Sequence, residues 1–470
     1  MRVGPTRLPD GFRVELGHDV RRSDGGRTLF GGSPARILYL KPRACALLAG
    51  NDLTVVDEPS ARLARLLLDG GVANPATTNP AQYDAADVTV VVPVKDRPQS
   101  LARLLDELPP GMQTVVVDDG SADPQQTAAV AGRRGVRLLR HPASRGPAAA
   151  RNSGLRAVRT PLVAFIDSDV VPRSGWLEPL LGVLSDPAVG IVAPRIAALG
   201  TGGGGSIARY EAARSSLDLG PQPSLVAPRG RVAYVPSACL VGRVTAFAEG
   251  FDEAMPVGED VDLVWRTIAT GWQVRYEPAS VVEHDHRVSP RGWLLRKAFY
   301  GTSAAPLSQR HRGAVAPVVV SPWTAAVVAV LLTQRRWSLP VAAVVMGGAT
   351  LRLSRRLTGS KAPVQAAARL APYGVVSALW QCGAAMTRHW WPVSLVAMVV
   401  SRRARRAVLA AAIVEGVADW RRTKPNLDPV RYVALRRADD LAYGAGLWFG
   451  AVKHRTTGPL RPTTGQRLRS

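Results

Sequence analysis

Cysteine is scarce in this 470-residue chain: Cys45, Cys239 and Cys382 stand alone and far apart. That excludes a disulfide framework and any Cys-based metal spacing, and reduced surroundings are the expectation. Lysine is also rare, with six among 60 basic residues. A GC-rich genome explains that bias, so arginine in place of lysine says nothing about function. The first 20 residues lack the apolar core of a signal peptide. Acidic residues thin out toward the end. Residues 301–470 hold 25 Lys+Arg against 5 Asp+Glu, whereas residues 1–300 hold 35 against 31. The net charge of +24 therefore splits into +20 for the last third and +4 for the rest. Anionic lipid and nucleic acid are the two obvious partners of such a region. With 46% apolar and 20% charged residues, the chain is neither disordered nor fibrous. Its length predicts two or three domains.

Three regions follow from the pattern. Residues 1–75 read as a small separate α+β module. Ile37 to Leu40 and Leu53 to Val56 are strand-like, Pro42 to Leu48 and Ser60 to Asp69 are helical, and Ser60 is the expected N-cap. Short strands alternating with short helices suit a winged-helix-like unit. Residues 76–86 read as a linker. Residues 87–300 alternate apolar strands with amphipathic helices, beginning with the β-branched run Val88 to Val92. This predicts an α/β domain around a parallel sheet, with ligands at the carboxyl ends of its strands. Residues 301–470 are basic, apolar and helical. Ala314 to Leu332 is uncharged for 19 residues, and residues 337–351 for 15. The first is a candidate membrane segment, although Pro317 and Pro322 interrupt it. The Arg335-Arg336 pair argues against a simple hairpin with both ends in the cytoplasm. A crossing, a re-entrant pair and an in-plane seat all remain open. Arginine pairs interleaved with tryptophan suit helices lying on an anionic membrane, and an ordinary helical domain is the alternative.

The middle region carries the chemistry. Asp167-Ser168-Asp169 follows the strand Val163 to Ile166. Two carboxylates there suit a divalent cation that already holds a diphosphate. Asp118-Asp119-Gly120-Ser121 ends an earlier strand. It is either a turn or a contact to a base or ribose. Arg145-Gly146 and Arg151-Asn152-Ser153-Gly154 open a helix, where small residues and arginine allow a phosphate to approach. Simple helix packing explains them equally well. Glu259-Asp260 begins another helix, so the pair is either capping or a general base that takes a proton from an acceptor hydroxyl. His284 and His286 follow a strand and share a face, and one of them, with His284 preferred, completes the metal site.

Taken together, these segments resemble the family 2 glycosyltransferases of the GT-A fold. The likeness covers roughly residues 87–290. It begins with the loop Pro93-Val94-Lys95-Asp96-Arg97-Pro98 and runs in the family's order through the motifs above. It implies an inverting transfer from a nucleotide-diphosphate sugar with Mg²⁺ or Mn²⁺. Pro93, Lys95, Asp96, Arg97, Arg145, Arg151 and Asn152 would face the donor, with Asp118 or Asp119 on the nucleoside. Asp169 would bind the metal, and Asp167 would hold ribose or share that metal. Asp260 would be the base with Glu259 beside it, and His284 would contact metal or diphosphate. Ser144 stands where many members carry Asn.

Leu8-Pro9-Asp10-Gly11-Phe12, Gly31-Gly32-Ser33-Pro34 and the stretch Leu66 to Pro75 are similar to the mycofactocin-system glycosyltransferases of actinobacteria. That likeness implies glucose, taken from UDP-glucose and β-1,4-linked, added to a peptide-derived redox cofactor precursor. The N-terminal module would hold that precursor. An anionic membrane surface rather than nucleic acid would be the partner of the C-terminal region, with the catalytic domain facing the cytoplasm. A membrane transferase acting on polyprenyl phosphate or envelope glycan is the competing reading. A non-catalytic membrane scaffold is a third.

Overall fold

The computed structural model describes residues 7–48, 50–200, 204–285, 289–357, 359 and 361–464. They fall into two compact units, residues 1–201 with 215–286, and residues 202–214 with 287–470.

The first unit opens with two small antiparallel sheets. One is ordered β5 (Asp52–Thr54), β1 (Arg13–Leu16), β6 (Ala73–Pro75); the other is β2 (Arg21–Ser23), β3 (Thr28–Gly31), β4 (Arg36–Tyr39). Two helices, α1 (Pro42–Leu47) and α2 (Glu58–Asp69), complete this module, and Phe12, Val14, Leu53, Leu67 and Leu68 fill its core. Expected as winged-helix-like, it is built on two three-stranded sheets with two helices. Asp57, not Ser60, caps α2. Ser60 sits at the third helical position and closes a reciprocal capping box with Asp57. Residues 76–86 are mostly exposed but pinned at Asn79 and Pro80. The Asn79 side chain accepts from Arg13 N–H at 2.7 Å, and Ser185 Oγ donates to the Pro80 carbonyl at 2.8 Å.

The rest of the unit is a three-layer α/β domain. Its strands are β7 (Val88–Val94), β8 (Thr114–Asp119), β9 (Arg137–His141), β10 (Leu162–Ile166), β11 (Val170–Pro172), β12 (Val189–Ala198), β13 (Ser224–Leu225), β14 (Cys239–Arg243) and β15 (Gln273–His284). The helices are α3 (Pro98–Glu107), α4 (Pro124–Arg133), α5 (Pro147–Ala157), α6 (Glu178–Leu184) and α8 (Glu259–Ala269); α7 (Ser206–Arg214) belongs to the second unit. The sheet runs β11-β15-β12-β14-β10-β7-β8-β9, with β13 paired to β15. Strands β10, β7, β8 and β9 are parallel, and β7, β8 and β10 show the buried apolar runs expected of parallel strands, whereas the edge strand β9 does not. The expectation of an all-parallel sheet is corrected at β14, which is antiparallel to both β10 and β12. That reversal starts β14 beside the carboxyl end of β10, where Asp167 N–H donates to the Ala238 carbonyl at 2.9 Å. Helix α5 lies close on β7 and β8 because residue 154 is glycine. A Cβ there would collide with Val91.

The second unit is helical: α7, α9 (Pro290–Thr302), α10 (Ala304–Arg310), α11 (Pro322–Leu332), α12 (Ser338–Ser354), α13 (Pro363–Arg388), α14 (Trp391–Val400), α15 (Arg402–Thr423) and α16 (Pro429–Lys453), with β16 (Val319–Val320) pairing β17 (Thr463–Thr464). The candidate segment 314–332 is not one helix. Pro322 has no N–H to continue a ladder, so α11 starts there after the β16 strand and runs only 11 residues. Among the described residues no helix is long and apolar enough to cross a membrane. Ion pairs are buried in its interior. Arg436 meets Glu415 at 2.8 Å and Asp440 at 3.2 Å, and Lys297 meets Glu211 at 2.8 Å and Asp439 at 3.4 Å. Much of the exterior is apolar, with Leu339, Val344, Val396, Val399, Ile413 and Val452 all exposed.

Candidate active site

Four loops meet at the carboxyl edge of the parallel strands. The loop after β7 is locked to the turn after β8. Asp96 N–H donates to Ser121 Oγ at 2.9 Å, and Ala122 N–H donates to Asp96 Oδ1 at 2.7 Å. Lys95 and Asp96 are exposed and Pro93 is half-buried. Asp118 is fully buried, accepts from Ser121 N–H at 2.9 Å and pairs with Arg140. Asp119 is engaged on both oxygens. Its partners are His141 Nδ1 at 2.7 Å, Ser144 Oγ at 2.8 Å, and the N–H groups of Arg145 and Gly146, each at 2.9 Å. Burial alone would raise this carboxyl. The donors from Arg145, His141, Ser144 and Gly146 outweigh burial and hold it below the usual carboxylate range. Gly120, at φ +70°, lies so close to Ala143 and Ser144 that no side chain fits. Asp119 is thus the peg on which the Arg145 loop hangs, and Ser144 takes part directly.

The next cluster joins motifs 108 residues apart. The buried Arg151 guanidinium donates to Asp167 Oδ1 at 2.6 Å and to Glu259 Oε1 at 3.1 Å. It also lies over the Phe251 ring, 5.3 Å from its centroid. Asn152 does not join it. Its amide accepts from Phe251 N–H at 2.8 Å and donates to the Phe251 carbonyl at 2.8 Å and Glu253 at 3.0 Å. Arg145 reaches the other Glu253 oxygen at 2.9 Å. Asn152 therefore fastens the 250–253 turn to α5.

Asp169 pairs with Arg97 through Oδ2, and its Oδ1 lies 3.5 Å from His284 Nε2. Register explains the meeting with His284, because Val170 pairs with His284 across β11 and β15. His286 lies outside the described residues. Among the described residues no three His, Cys, Asp or Glu side chains gather into a metal cluster.

Gly258 adopts a left-handed conformation, φ +80°, and turns the chain into α8. Glu259 is buried and tied to Arg151. Burial first, and then the Asp260 charge, push its carboxyl up to about 7 against the pull of Arg151. Asp260 turns the other way. It accepts from Val261 N–H at 2.8 Å and Ser237 N–H at 3.3 Å. Burial raises its carboxyl too, although both N–H groups favour the charged form.

Sequence reasoning missed His141, Glu253, Phe251 and Ser237. His141 was legible in principle, since parallel register sets it opposite Asp119. Ser237 was not, because only the reversal of β14 brings it to Asp260.

Comparisons with known proteins identify the family. Residues 89–249 match the profile of Glycosyl transferase family 2. The chain is 48% identical to the pre-mycofactocin glycosyltransferase of Mycobacterium tuberculosis, over 97% of this chain and 98% of that protein. It is 28% identical to the succinoglycan biosynthesis protein ExoU of Rhizobium meliloti, over 39% of this chain and 58% of that one. A mannosyltransferase from Pyrobaculum calidifontis, solved with GDP-Man and Mn²⁺, aligns with 17% identity and a TM-score of 0.37, covering 72% of this chain and 90% of that one. Near-complete coverage at such identity, with the matched profile inside the α/β domain, shows that the chain belongs to the family 2 glycosyltransferases, in the group of the pre-mycofactocin glycosyltransferases.

Proposed function

We propose that this glycosyltransferase moves glucose from UDP-glucose, with inversion, onto a peptide-derived redox cofactor precursor in mycofactocin biosynthesis, building a β-1,4-linked chain. The observation that carries the mechanism is Arg151. One guanidinium spans Asp167 and Glu259, so the loop carrying the carboxylates assigned to the leaving group is tied to the helix start that carries the proposed base. In the transfer, the acceptor oxygen bonds to the anomeric carbon while that carbon's bond to the diphosphate oxygen breaks, and Asp260 takes the acceptor proton. Asp260 suits this task better than Glu259. Its carboxylate is held by backbone N–H groups and partly open, whereas Glu259 is buried against Arg151. The raised affinity of Asp260 for a proton makes it a stronger base.

Residues for a divalent ion are present. Asp169 Oδ1 and His284 Nε2 lie 3.5 Å apart, near enough for one Mg²⁺ or Mn²⁺ to take both, with Asp167 on the same loop. Two or three protein donors fit an ion that completes its shell with substrate phosphates. Such an ion, when bound, neutralises charge building on the departing diphosphate. Arg97 fixes the second Asp169 oxygen. The 1–75 module is proposed to hold the acceptor. The C-terminal unit is proposed to hold the enzyme on the cytoplasmic face of the cell membrane, a seat supported by its basic charge and apolar exterior.

The deciding experiment incubates the purified enzyme with labelled UDP-glucose and the peptide-derived precursor. A water-soluble glycosylated product is expected. Label in an organic-extractable lipid would support the polyprenyl phosphate acceptor instead.

A further inference from the structure

The junction of the α11–α12 turn with the start of α15 gathers six arginines beside bare apolar side chains. Gln334, in a left-handed turn at φ +51°, donates its Nε2–H to the Arg403 carbonyl at 2.8 Å. That bond sets Arg335 and Arg336 beside Arg402, Arg403, Arg405 and Arg406, all exposed. Next to them stand Trp337 (46% exposed), Leu339 (73%) and the end of α14, Val399 and Val400 (79% each). The sequence holds no Asp or Glu from 286 to 414. The first acid after that gap, Glu415, is buried and engaged by Arg436 and Arg437.

We infer that this corner docks on the anionic headgroups of one bilayer leaflet, with Trp337, Leu339, Val399 and Val400 entering the acyl boundary. The inference rests on the membrane seat proposed above and specifies its place and mode. Clustered arginines attract an anionic leaflet, and apolar side chains beside them add the in-plane burial of an interfacial helix. Nucleic acid would use the arginines but leave the valines and leucine wet. A second copy of this corner would bring like charge against like charge. Among the described residues no helix can span the bilayer, so the seat lies in one leaflet.

The test sediments the full-length protein with vesicles of phosphatidylcholine alone, or of phosphatidylcholine mixed with phosphatidylglycerol. Tight binding to the mixed vesicles, weakened by salt, is expected. Replacing Arg402, Arg403, Arg405 and Arg406 with Glu should cut that affinity by about a hundredfold or more. These positions open a helix, where Glu is favourable, so folding should survive. Val399→Asp with Val400→Asp should weaken binding to both kinds of vesicle. Donor hydrolysis should be unchanged in both variants. Wild-type binding that neither variant alters would overturn this corner while leaving the membrane seat standing. Wild-type protein that binds no vesicle would remove both. Tighter binding to a structured RNA than to the mixed vesicles would overturn lipid as the occupant. Resistance to alkaline extraction, together with protease cleavage from the far side of a vesicle, would establish a crossing and overturn the one-leaflet seat.

Discussion

Arg151 holds Asp167 at 2.6 Å with one guanidinium nitrogen and Glu259 at 3.1 Å with the other, from a side chain only 4% exposed. It turns two motifs distant in sequence into one rigid unit. Arg151→Ala would leave two carboxylates facing each other across an uncompensated site. Losing one partner of a buried ion pair costs about 3–5 kcal/mol. The variant is expected to melt well below the wild type. Arg151→Lys keeps the charge but not the fork. It should fold, and lose on the order of 10²-fold in kcat through misplacement of the acidic groups. Thermal melting and steady-state kinetics on the same samples check both. Wild-type kcat in the Lys variant would rule out a positioning role.

The acid pair at the start of α8 predicts a pH dependence. Glu259 holds its proton up to about 7, and two interacting carboxylates titrate as a pair. A base must be deprotonated to act, so kcat/KM should rise with pH as Asp260 ionises and change again near 7 as Glu259 ionises beside it. Glu259→Gln stays neutral at every pH, so the inflection near 7 should vanish. The stability sign is opposite. A carboxyl whose folded pKa is raised binds more protons in the folded state, so its stabilising contribution is present below about 4.5 and is lost as pH rises toward 7. In the Gln variant that loss should vanish. A rate profile unmoved by the substitution would separate Glu259 from the base.

Asp119→Asn tests the peg under the Arg145 loop. One amide oxygen cannot accept from both Arg145 and Gly146 N–H and also from Ser144 and His141. Leaving a buried donor unmet costs about 1–3 kcal/mol. Chemical denaturation should show that loss, and donor KM should rise as the loop relaxes. Unchanged stability with raised KM would instead mean that Asp119 touches the nucleoside directly.

The parallel strands β7, β8 and β10 were legible because buried parallel strands leave continuous apolar runs, as in Val88 to Val92, whereas β11 to β14 were not read. The motif loops were legible for the same reason, since each sits where such a run ends. The reversal of β14 was not, because Cys239–Arg243 carries no mark of its direction. The roles of Asn152 and Asp119 were hidden too. Residue type shows that a side chain can hydrogen-bond, but only the fold shows that Phe251 and the 144–146 loop supply its partners. Residues 314–332 misled because an uncharged run counts as apolar length even when Pro322 forces a new start.

The N-terminal module gives the last prediction. As a separate unit, it could be removed without harm to the α/β domain. Two arginines argue otherwise. Arg65 on α2 grips Asp186 with bonds of 2.9 and 2.6 Å, and Asp186 is fully buried. Arg275 on β15 is buried and donates to the Leu68 carbonyl at 3.0 Å and the Ala73 carbonyl at 3.4 Å. Burial lowers its pKa to about 10. Deleting residues 1–75 would strip Asp186 and Arg275 of these partners. Donor hydrolysis and transfer should then fall together as the domain loses stability. Substitutions on the exposed face of the module, such as Tyr39→Ala on β4, keep the arginine contacts. If the module holds the acceptor there, they should raise acceptor KM and leave hydrolysis intact, because binding that is equal in ground and transition states appears in KM. A stable, hydrolysing truncation lacking residues 1–75 would refute the structural role of these two arginines.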